Sequence, residues 1–377
     1  MKRGDVMGQG YRKSLKIAPG IRLNVTNEAS GANVSETGLR YRVHSSVQGR
    51  TEDVPGTEIS STGLIFNKRE MYSPAYNKML DITRQLREQN NLQELERNRL
   101  EVEYFEHKLE MIQSIPKEAV RPIDWVKVKS IPEPFEMGKT GPMEKIAQEN
   151  AYHYKPNLFA KLFNKDEKKR ENLQNQIKLA RENDLRDYQS WKRMINTAEN
   201  VMKGNVDSYF DVIHEFAPLE DISGLGSGFE FMIQNSHEME VNFDVNSDSV
   251  LPKEVLSLTK NGDLSKEQMP KEQYFQILQD YVFNCTLRIA RDMFSLLPLK
   301  TICIHAMDEQ RNTTTGRIEK FIILSVKIDK HSLQSLNLDL LDYSNSIKAF
   351  EHHLNFNQTS GFRPVQKVEW TSLNVSS

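Results

Sequence analysis

Cysteine is nearly absent: Cys285 and Cys303 are the only two among 377 residues. Two thiols can build neither a disulfide framework nor a four-cysteine zinc site. With Val282, Ile289, Ile302 and Ile304 nearby they read as buried, reduced residues of a cytoplasmic protein. No apolar run approaches 18 residues, so no bilayer-spanning helix is expected and no membrane partner. The opening Met1-Lys2-Arg3-Gly4-Asp5 develops no apolar stretch ahead of a cleavage site, as a secretory signal would. Gly-x-Ser-x-Gly and His-Glu-x-x-His are both missing. Gly138-Lys139-Thr140 imitates a phosphate loop, but the required earlier glycine is replaced by Glu133 between Pro132 and Pro134. A carboxylate and missing N–H donors would spoil an anion nest. The cluster Gly224-Leu225-Gly226-Ser227-Gly228 precedes a strand instead of joining strand to helix, and so reads as a connector.

What is present is charge. Charged residues make up 27% of the chain and the hydrophobic set 38%, which predicts exposed helix or linker beside folded units. At about 100–200 residues per domain, two or three such units fit. The net charge of −2 hides an asymmetry. Residues 1–50 hold nine Lys/Arg against Asp5, Glu28 and Glu36, whereas residues 204–252 hold ten acids and no Lys or Arg. Blocks of opposite sign suggest partners of opposite charge or association between the two regions.

Residues 8–66 alternate between apolar and polar positions and are broken by Pro/Gly turns. Leu15 and Ile17, then Ile21, Leu23 and Val25, then Leu39, Tyr41 and Val43 recur at period two, which predicts a small β meander. The opposite phase carries Lys16, Arg22, Arg40 and Arg42, and in a strand residues i and i+2 share a face. With Arg12 and Lys13 these residues are candidates for polyanion contact, either nucleic acid or an acidic protein surface, by counterion release. Few aromatics, Tyr11 and Tyr41 in its strands, accompany them, which disfavours base stacking. The run Tyr11-Arg12-Lys13-Ser14-Leu15-Lys16-Ile17-Ala18-Pro19-Gly20-Ile21-Arg22-Leu23-Asn24-Val25, with Gly38-Leu39-Arg40-Tyr41 and Pro55-Gly56-Thr57, resembles the opening of a short bacterial domain-of-unknown-function family, number 4236. Glu58 stands where that family has a glycine. The resemblance implies a β module and no activity.

Residues 73–216 read as a helical spacer with coiled-coil character. Ser73-Pro74 opens a helix running to about Ile112. A second run places Leu173, Ile177, Ala180, Tyr188, Trp191, Ile195, Ala198 and Met202 at heptad-like spacing, with a gap at Asp184 and a stop at Gly204. Pro116, Pro122, Pro132, Pro134 and Pro142 mark an extended connector over 116–142. Within it, 123–128 is expected as a short strand or a segment docked on the bundle. Such helices predict a homo-oligomer.

Residues 217–370 predict an α+β sandwich in the order β-β-α-β-β-α. The strands are 229–233 and 239–245, then 301–306 and 318–328; the helices are 271–297 and 343–354. Glu238, Glu240 and Asp244 alternate onto one strand face, with His305 on a neighbouring strand. This is the weaker, metal-binding alternative. Glu319 and Lys320 are adjacent and therefore fail the acid–x–Lys pattern of a metal-dependent nuclease. His352 and His353, neighbours on a helix, make a poor chelate. The chain therefore reads as an α+β multidomain interaction or adaptor protein without cofactor or catalytic residues. A metal-dependent phosphodiesterase or nuclease and a purely structural oligomer are the alternatives.

Overall fold

The computed structural model describes residues 13–17, 58–60, 63–65, 74–88, 94–155, 165–311, 316–336 and 346–369. In chain order come β1 (Lys13–Ile17), β2 (Glu58–Ser60), β3 (Gly63–Ile65), α1 (Pro74–Glu88), α2 (Glu94–Ser114) and α3 (Trp125–Lys129). Then follow α4 (Pro142–His153), α5 (Lys165–Met202), α6 (Val206–Phe216), α7 (Glu220–Leu225), β4 (Gly228–Asn235) and β5 (Glu238–Asp244). The remainder is β6 (Glu254–Leu258), β7 (Leu264–Gln268), α8 (Lys271–Leu296), β8 (Thr301–Arg311), β9 (Ile318–Asp329), β10 (Glu351–Leu354), β11 (Phe356–Asn357) and β12 (Gly361–Phe362). The protein is mixed α/β. Two compact units divide it. One holds β1, residues 68–120 and the chain from Gly204 onward; the other holds β2–β3 and residues 121–203.

The first unit is built on a six-stranded sheet of order β1-β4-β5-β8-β9-β10. Only β5 and β8 run parallel, because α8 lies between them in the chain; every other pair is antiparallel. Alternation puts Phe231, Ile233, Met239, Val241, Phe243, Ile302, Ile304, Val326 and Ile328 on one face, all fully buried. The helix α8 packs there, with Tyr281 6.1 Å from the Phe243 ring. Tyr281–Ala290 is buried on every side, the signature of a helix enclosed by other elements. The α1–α2 hairpin has its own cluster of Ala75, Tyr76, Met79 and Met111.

Three expectations change in this unit. The segment 13–17 pairs with β4 as an edge strand of this sheet, whereas a separate meander was expected; most of that meander lies outside the described residues. The helix expected over 343–354 is, in its described part, a 3-10 turn at Ile347–Ala349 followed by β10. There His352 stands opposite Val326 and His353 opposite Ser325. The open edge of β9 supplies the backbone partners that favour a strand, and His352 and His353 point to opposite faces. The β6–β7 hairpin interrupts the expected strand order, turning through Thr259–Asp263 with Gly262 at φ +86°.

The second unit is helical. Helices α4 and α5 run antiparallel: the amides of Met143 and Glu144 meet Asp184, while Tyr154 interacts with Asp166 and Arg170. The segment 125–129 is a helix capped by Asp124, whose carboxylate accepts from Val126 and Lys127 N–H. It docks on α5 around Val128, Met194 and Ala198, so the docking expectation holds and the strand does not. Trp191 Nε1 donates to the Ile131 carbonyl at 3.0 Å, and the Phe135 ring lies tilted 5.5 Å from that of Tyr188, tying the connector to the same helix. No helix among the described residues is long and apolar enough to cross a membrane.

Candidate functional site

The other face of the sheet is polar where the chain would ordinarily place solvent-facing residues. Glu240 on β5 neighbours Cys303 on β8, and Asn242 neighbours His305. On β9, Ser325 stands opposite His305 and Lys327 opposite Cys303. Glu240, His305 and Ser325 are nonetheless at most 1% exposed. Residues 363–369 lie across them: Val368 N–H donates to Ser325 Oγ at 2.8 Å, and Lys367 Nζ pairs with Glu240 Oε1. His305 Nδ1 is 2.8 Å from Ser325 Oγ, and its Nε2 lies 3.5 Å from the same Glu240 oxygen. Burial pushes His305 below its ordinary range; Glu240 opposes that shift and Lys367 adds to it.

Serine, histidine and glutamate thus stand in relay order, yet the arrangement fits closure better than acyl transfer. Ser325 sits in mid-strand, buried, with its Oγ already bonded to the Val368 amide. A nucleophile needs that lone pair and access to a substrate.

The expected metal set does not assemble. Glu238 accepts from Asn235 Nδ2 at 2.6 Å, and Asp244 pairs with Lys320 at 2.6 Å. Of the four candidates, only Glu240 and His305 meet, and among the described residues no group of three or more His, Cys, Asp or Glu could hold a metal ion. Nor is the acidic block 204–252 one surface. Asp221 and Glu240 are buried, facing Arg288 and Lys367, while Asp248 pairs with Lys253. Cys303 is buried and pushed up to about 12, so its thiol stays protonated at neutral pH.

Among the basic candidates, Lys13 and Lys16 fall on β1, in register with Ile233 and Glu230. Arg12, Arg22, Arg40 and Arg42 lie outside the described residues. Beyond Gly138-Lys139-Thr140, the first amides of α4 donate to the chain's own Asp184 carboxylate; Gly141 leaves no room for a Cβ beside that carboxylate.

A second polar cluster was invisible to the sequence reading. On α8, Asn284, Arg288, Arg291 and Asp292 share a face at helical spacing. Asn284 donates to the Ile112 carbonyl, Arg288 to those of Ile115 and Pro218, and Arg291 to that of Pro116; Asp292 accepts from Val120 N–H. The bonds to Ile112, Ile115 and Pro116 satisfy carbonyls where α2 ends. Arg288 also meets Asp292 at 2.7 Å and Asp221 at 3.6 Å. With two carboxylates around one guanidinium, burial raises Asp292 to about 6 despite its cation. The hint was an arginine and an aspartate inside an otherwise apolar helical stretch.

Comparison with protein-family models, curated protein sequences and solved structures finds no match.

Proposed function

We propose that the chain is an interaction protein that assembles with a second copy of itself through its helical unit. In this reading its basic N-terminal residues contact a polyanion or an acidic partner. The supporting observation is the α4–α5 pair. Helix α4 has no buried residue, and of residues 166–183 on α5 only Leu173 is buried. Ile146, Tyr152, Leu179 and Leu185 are exposed on these helices. Two helices packed through one thin seam leave apolar surface that association can cover. Both signs of charge intersperse along α5, with Lys168, Lys169, Arg170, Lys178 and Arg181 among Asp166, Glu167, Glu171 and Glu182. Such a surface complements another of its own kind.

Light scattering across a concentration series is expected to show mass rising toward a dimer. The double variant Leu179→Glu/Leu185→Glu should remain monomeric while keeping its circular dichroism. A monomer at every concentration for the unmodified chain would refute the assembly part. Polyanion contact rests on the nine cations of residues 1–50. It predicts retardation of nucleic acid at low salt that falls steeply as salt rises, and unchanged migration removes it.

A further inference from the structure

We propose that residues 363–369 form a strap released by protonation of His305, which controls both groups that hold the strap. Three backbone N–H groups lay the strap down: Arg363 N–H donates to Asn355 O and Val365 N–H to Ile322 O, both at 2.9 Å, and Val368 N–H donates to the Ser325 side chain. Val368 is buried at its end. The Lys367 side chain is 43% exposed, yet its ammonium reaches the buried Glu240. The polar anchors at 367 and 368 therefore end on Glu240 and Ser325, the two groups that flank His305.

One protonation pattern fits this set. With its single proton on Nε2, His305 turns that N–H toward Glu240, 3.5 Å away and outside hydrogen-bond geometry, and presents a lone pair on Nδ1 to the Ser325 hydroxyl at 2.8 Å. Ser325 then donates to His305 and accepts from Val368. A second proton, on Nδ1, removes the acceptor for the Ser325 hydroxyl: its oxygen can accept from both His305 and Val368, but its own buried proton is left without a partner. The same proton makes His305 a second cation on the Glu240 oxygen that Lys367 uses. The closed strap is thus disfavoured at both anchors, by an unpaired buried hydroxyl proton at Ser325 and by a competing cation at Glu240.

The sign follows from burial. His305 in the closed state lies below its ordinary 6.5. Opening returns it toward that value, so the strap is held fully above about pH 6.5 and loosens as pH falls below it. The other charged or titratable groups facing His305 do not reverse this. Cys303 stays protonated, Lys327 is paired with Glu351 at 3.8 Å, and Glu240 is the shared carboxylate. His353 lies with Nδ1 2.9 Å from the Gln366 carbonyl oxygen.

Hydrogen exchange on the full chain tests this, with rates corrected for intrinsic pH dependence. Between about pH 7.5 and about pH 5.5, protection of the Val365 and Val368 amides should fall by up to about tenfold, the limit reached when only the open state binds the proton. In His305→Gln that step should vanish. Equal protection at both pH values in the unmodified chain, or the same step in His305→Gln, would overturn the proposal. Should His305→Gln fail to fold, Lys367→Met alters only a half-exposed side chain. It is expected to reduce strap protection at pH 7.5 while β5 and β8 stay protected; unchanged strap protection in Lys367→Met would also overturn the proposal.

Discussion

The sheet unit and the helical unit keep their apolar residues in different places. In the sheet unit one face of β5 and β8, the middle of their other face and all sides of the middle of α8 are covered, and even Arg288, Asp292, Glu240 and His305 are buried. In residues 121–203 the buried apolar residues are Val128, Leu173, Met194, Ala198 and Val201. The same stretch holds seven of the ten large apolar residues that are exposed among the described residues: Val126, Met137, Ile146, Tyr152, Leu179, Leu185 and Met202. An enclosed core makes one unit self-sufficient, with polar groups admitted only when paired. Residues 121–203 enclose few apolar side chains and leave more of them exposed.

The contrast implies that equal-looking changes have unequal costs. The largest effect is expected from Arg288→Met, which leaves Asp221 and Asp292 buried without their cation. Denaturant unfolding should show a loss of about 3–5 kcal/mol. Next comes the pH dependence of Asp292. Its folded value of about 6 lies above the ordinary 3.8, so its contribution to stability is present below pH 3.8 and is lost as pH rises through about 6. Asp292→Asn should flatten the stability profile across that window. Asp184→Ala removes the cap of α4 and is expected to cost about 1 kcal/mol, read as faster exchange of the α4 amides while α8 is unaffected. The smallest effect on stability should be that of Leu179→Glu, below about 0.5 kcal/mol by thermal melting, although this side chain lies on the proposed association surface.

Much of this architecture was readable as periodicity. The seam of α5 was, and its gap at Asp184 proved to be the point where the seam turns polar to cap α4. Val201, not Met202, completes it, since Val201 is buried and Met202 exposed. Strands β4, β5, β8 and β9 followed from alternation and turns. The β6–β7 hairpin carries a local signal, the turn pair Asn261-Gly262. β10 had none strong enough, because Glu351–Leu354 becomes a strand by joining an edge supplied from far away in sequence. The candidate site was half legible. Glu240 and His305 were singled out, but as metal ligands. Their real neighbours, Ser325 and Lys367, come from β9 and the C-terminal segment, and nothing in local spacing links them.

Hydrogen exchange of the full chain at rising concentration tests the central claim most directly. Amides of α4 and of residues 166–183 on α5 are predicted to gain protection as copies associate, while those of β5, β8 and α8 stay constant. Protection that is the same at every concentration in both units would contradict it.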